Sequence, residues 1–121
     1  MTNEQTALSR RLVTSAAFRW MPGMKVYEGF RVTESYERFM FAVDRPDLLD
    51  AATAGALLSL LLTAARAHFV VVEIEDDWRT RHAEVRIVEL VGGGRKVRAA
   101  FVDMPLGEAV AHALLNLEDA P

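Results

Sequence analysis

The residues best suited to chemistry crowd one short stretch, from Glu73 to His82. Glu73 and Glu75 share one face of an expected strand, and Asp76, Asp77 and His82 follow within a few positions. Carboxylate oxygens and an imidazole suit a hard or borderline divalent cation. Glu73, Glu75, Asp77 and His82 would then serve a metal-dependent hydrolase or nuclease. The spacing matches neither an EF-hand loop nor HExxH, and Arg79 and Arg81 stand close to the acids. The plainer reading is a solvated hairpin end whose carboxylates are offset by those arginines.

Gly92-Gly93-Gly94 before Arg95-Lys96 invites comparison with phosphate loops, in which glycine-rich backbone cradles phosphate oxygens with its N–H groups. The Walker arrangement needs Ser or Thr after the lysine and a helix after the loop, whereas Val97 follows Lys96 here and a strand pattern continues. A hairpin turn is expected instead. Arg86, Lys96 and Arg98 line one outer face of that hairpin and are the candidates for contact with nucleic acid or an acidic partner. Ser9, Ser15, Ser35 and Ser59 occur in no GxSxG context, and His112 falls at i, i+4 from Glu108. No nucleophile with a placed base is legible, so the reading assigns no catalytic residue and no cofactor.

A second kind of chemistry is association. Trp20, Met21 and Met24 cluster around Pro22-Gly23, a pair suited to a type II turn because proline presets φ and glycine accepts a positive one. With Trp78 in the acidic loop, they are the candidates for binding a protein partner, since Trp and Met are enriched at interface cores. The alternative, that Trp20, Met21 and Met24 roof the domain core, is the stronger one, because large apolar residues in small domains are mostly interior.

These residues need elements to place them. Residues 2–18 read as a first helix, with capping-box spacing over Thr2-Asn3-Glu4-Gln5 and a stripe of Leu8, Leu12, Val13, Ala16 and Ala17. Lys25–Thr33 and Tyr36–Val43 read as strands, with Gly29 marking a bulge or a further tight turn. Asp50 is placed to cap a central helix over Ala51–Ala67, whose core face carries Ala54, Leu57, Leu58, Leu61, Leu62 and Ala65. Its other side is also apolar or small, with Arg66 its only charge, which predicts burial on several sides or a homodimer seam. A membrane span needs 18 or more apolar residues and the uncharged run is about 15. Phe69–Glu75, rich in β-branched residues, is expected in the middle of the sheet; His82–Val91 and Lys96–Val102 form the hairpin, and residues 105–118 form a closing helix.

The chain has 121 residues, 51% of them hydrophobic and 26% charged, and no cysteine, which fits one α+β domain and excludes disulfides and thiolate chemistry. Its expected order is α-β-β-α-β-β-β-α, with a mostly antiparallel sheet. Seven basic residues face five acidic ones up to Arg45, and seven face twelve beyond it. Neither half is polybasic, which argues against generic nucleic-acid binding. Glu4 comes early and no apolar signal core precedes Trp20, so a cytoplasmic protein is expected.

Three segments carry a resemblance: Arg19-Trp20-Met21-Pro22-Gly23-Met24, then Arg45 through Leu58, then Glu108 through Leu115. Together they resemble a family of small phage and prophage proteins of unassigned function, in which the middle motif reads like PDLxDPATxGxLLxL; Ala51 replaces its second proline. The resemblance implies a cytoplasmic, non-enzymatic accessory protein that binds a host or defence protein. The order of elements also resembles, in architecture alone, the small acidic dimeric chaperones of type III secretion.

Overall fold

The computed structural model describes residues 1–33, 44–77 and 79–118. Among them, helix α1 spans Asn3–Val13, α2 spans Ala51–Ala67, strands β1, β2 and β3 span Val71–Asp77, His82–Val91 and Gly94–Met104, and α3 spans Leu106–Glu118. The three strands form an antiparallel sheet in the order β1-β2-β3. The α+β class therefore stands, with the order α-α-β-β-β-α among the described residues.

Helices α1 and α2 begin where the sequence supplies a partner for unpaired N–H groups. Thr2 and Gln5 complete a reciprocal capping box on α1. Asp50 accepts from the Thr53 N–H at 3.0 Å and from the Thr53 hydroxyl at 2.9 Å, capping α2. Helix α1 ends at Val13, five residues before the expected Phe18. Beyond it the Glu118 carboxylate, from the end of α3, accepts from Ala16 N–H at 2.6 Å and from the Ser15 hydroxyl, giving that backbone partners outside a helix. The Pro22-Gly23 turn forms as expected, with Gly23 at φ 97° and the Met24 N–H donating to Met21 C=O at 3.1 Å.

Lys25–Thr33 is not a strand. Isolated bridges join Lys25 to Arg31 and Val26 to Pro46, while the backbone reverses through Glu28 at φ 57° and a Gly29 N–H bond to Val26 C=O of 2.9 Å. The tight turn read at Gly29 consumes the residues a strand would need. The expected strand Tyr36–Val43 lies outside the described residues.

The sheet corrects a second expectation. Among the described residues β1 is an edge strand, and β2 occupies the middle with buried Ala83, Val85 and Ile87. β-branched density at Val70–Val72 signals strand propensity, but the most buried strand is β2, which packs under α3. α3 is also the most enclosed helix, burying Ala109, Val110, Ala111, Ala113, Leu114, Leu115 and Leu117 against α2, α1 and the sheet. Its first turn passes so close to the loop before α2 that a Cβ on Gly107 would lie 2.0 Å from Leu48 C=O. α2 is enclosed along one side only, by Thr53, Ala54, Leu57, Leu60, Leu61 and Ala65. Leu60 thus faces inward, and Leu62, expected inside, is 47% exposed. The remaining outer residues are mostly Ala, Gly, Ser and Thr, whose small side chains present little apolar area to water.

Candidate functional site

Glu73, Glu75 and Asp77 lie on the outer face of the sheet, while Asp76 turns to the inner face, opposite buried Ala83. Strand register pairs Glu73 with Arg86, Glu75 with Glu84 and Asp77 with His82. Arg86 gathers the carboxylates: its Nε lies 3.3 Å from Glu73 Oε1, one Nη 3.4 Å from Glu75 Oε1, and the other Nη against Glu84. Arg95 also pairs with Glu73. His82 turns toward Asp103, with Nδ1 and Oδ1 3.3 Å apart, both exposed. Glu75, Asp77, His82, Glu84 and Asp103 line a shallow depression of about 400 Å³. Among the described residues no three acidic or imidazole groups converge closely enough to hold a metal ion. Glu73, Glu75, Asp77 and His82 are therefore strung along two strands, and an arginine holds the first two.

The same arrangement takes up the basic candidates. Arg86 is surrounded by three carboxylates, Arg98 lies 3.5 Å from Glu89, and Lys96 stands across from Glu89 in the register. A phosphate backbone would compete with these internal acids for each cation. The lattice also has an apolar floor. Val88, on the Arg86 side of β2, is buried without belonging to the main core, as expected where long Arg and Glu stems lie over an apolar side chain.

Of the partner-binding candidates, Met24 is fully buried, and Trp20 and Met21 pack partly buried against the core. Trp20 meets Phe18 edge to face, with ring centroids 5.4 Å apart. This cluster closes the core beside the Pro22-Gly23 turn. Trp78 lies outside the described residues.

One feature escaped the sequence reading. After α2, His68 is the C-cap, Phe69 N–H donates to Arg66 C=O at 3.3 Å, and Val70 N–H donates to Ala65 C=O at 3.0 Å. These two bonds are a Schellman motif, which places its C′ residue in the left-handed region and favours glycine there. The residue is Phe69, at φ 56°. A bulky aromatic in that region is strained by about 1 kcal/mol relative to glycine. Its side chain recovers nothing by burial, because Phe69 is 92% exposed.

Phe69 is not alone. Val71 opens β1 opposite Val88, so the same end of the sheet carries Leu90, 71% exposed, and Val91 and Val97, also exposed. Beside it, Phe18, Leu60, Ala64, Ala67 and His68 help line a groove of about 410 Å³ between α2 and the segment after α1. Exposed apolar groups are thus gathered at one end of the domain. Register alone would have hidden this: Phe69 reads as the first residue of a buried strand, and only the helix-ending hydrogen bonds turn it outward.

No helix among the described residues is long and apolar enough to cross a membrane. No protein-family model, no curated protein and no solved structure matches this chain.

Proposed function

We propose that this protein acts by binding another protein, without catalysis of its own, through the apolar end of the sheet centred on Phe69. The observation that carries this reading is a phenylalanine that is both conformationally strained and almost wholly in water. Strain kept at an exposed site points to a role that folding alone does not explain. Glycine would relieve it, and burial against a partner is what an exposed aromatic ring gains from being there. Leu90, Val91 and Val71 supply the surrounding apolar area. The resemblance of the Trp20–Met24, Arg45–Leu58 and Glu108–Leu115 segments to small phage and prophage proteins supports a partner in the host cytoplasm, such as a host or defence protein.

Site-specific crosslinking tests the surface. A photo-reactive phenylalanine analogue placed at Phe69 is expected to trap a discrete protein adduct in cells, while the same analogue at Glu28, exposed and remote in the 23–33 loop, is not. Equal adducts at both positions, or none at Phe69, would overturn the reading.

A further inference from the structure

The sheet has two free edges among the described residues, and their charges differ in kind. β1 reads Val71-Val72-Glu73-Ile74-Glu75-Asp76-Asp77. Two copies of β1 side by side in antiparallel fashion would set carboxylate against carboxylate, a common protection of edge strands. β3 is different. Arg95, Lys96 and Arg98 occupy its first half, Asp103 stands near its end, and Ala99-Ala100-Phe101-Val102 between them are uncharged. Its register shifts against β2 fall on either side of Ala99–Phe101, so the central segment is regular strand.

We propose that β3 pairs with β3 of a second copy of this chain, antiparallel about a two-fold axis near Ala99 and Ala100, to make a six-stranded sheet across a homodimer. Antiparallel pairing reverses the strand, so the basic half of each copy lies along the acidic end of the other. Each basic segment therefore meets Asp103 of the other copy. Val97 and Val102, both about half exposed, lie at similar distances on the two sides of the axis and come together across it. The alanine methyls at the centre let the backbones approach to hydrogen-bonding distance. The contact is isologous and closes at two chains. This edge shares Val97 with the apolar end of the sheet but not Phe69 itself, so crosslinking at Phe69 and sedimentation of the β3 variants can fail independently.

Charge-swapped variants test it by sedimentation. Wild type is expected to sediment at twice the chain mass at micromolar concentration, with dissociation promoted by salt. Arg95→Glu, Lys96→Glu and Arg98→Glu together make the strand wholly acidic, and Asp103→Lys makes it wholly basic. Each alone is expected to weaken self-association by about tenfold or more, roughly 1.4 kcal/mol. Mixing the two is expected to restore a heterodimer, because every contact is then between opposite charges. The restored heterodimer also shows that both variants are folded, and circular dichroism of each provides a second check. A wild type that stays monomeric, mass that grows without limit through β1-to-β3 stacking, or a dimer indifferent to the swaps would each overturn the proposal.

Discussion

Three residues set the terms at the smallest scale. Phe69 takes a backbone conformation that glycine would hold without strain, and Gly107 occupies a position that no other residue fits. Gly107→Ala gains about 1 kcal/mol of helix propensity, but its Cβ must displace Leu48 backbone, an overpacking that costs about 1–3 kcal/mol. Chemical denaturation is expected to show a net loss of stability. His112 stacks on Phe101 with ring centroids 5.4 Å apart and planes 8° from parallel. Burial holds its pKa below the ordinary 6.5, with Arg11 also lowering it and Glu108 and Glu4 opposing. The unfolded chain therefore takes up the proton first as pH falls. The contribution of His112 is fully present above about pH 6.5 and declines as pH drops below that value. His112→Gln should flatten that part of a plot of unfolding midpoint against pH, and an unchanged slope would refute the assignment. Asp50, held well below the usual carboxylate range chiefly by its hydrogen bond to Arg31, acts in a separate window at lower pH.

At the scale of elements, α2 shows how far the sequence can be read. Its bounds, Ala51–Ala67, and its cap, Asp50, follow from local chemistry and appear as expected. So do β2 at His82–Val91 and the Pro22-Gly23 turn. Beyond the local misreadings at Lys25–Thr33 and at the end of α1, the differences are tertiary ones. Leu60 and Leu62 fit two nearly equivalent helical faces, and which one faces inward depends on where α3 lies, a contact between residues far apart in the chain. β1 was placed centrally because Val70–Val72 is rich in β-branched residues, but local composition does not set strand order. The partners of Asp50 were also out of reach. Arg31 clamps it with bonds of 2.9 and 3.0 Å, and Thr53 in turn accepts from Lys25 N–H at 2.8 Å, tying the loop to the helix start. Asp50→Ala is expected to destabilise by about 1–2 kcal/mol through the lost cap. Arg31→Ala should cost less than Asp50→Ala, because the arginine is half exposed and its pairing is screened by water. Equal losses would mean that the ion pair, not the cap, carries the stability.

At the scale of the molecule, α3 is the element the others surround, and among the described residues the helices cover one side of the sheet. The outer face spends its charges on one another, through Arg86, Arg95 and Arg98. That internal balance leaves little for a metal or a phosphate backbone, while the sheet end at Phe69 and Leu90 remains apolar and open. A dimer through β3 would carry two such ends, and a partner with two sites would then be held with avidity beyond either contact alone. The most direct measurement is on Phe69→Gly, followed both by denaturant unfolding and by affinity for the partner trapped at that position. Binding through a strained, exposed ring predicts that unfolding free energy rises by about 1 kcal/mol while affinity falls at least tenfold, as for a central interface residue. A variant that is less stable, or that binds as tightly as wild type, would contradict it.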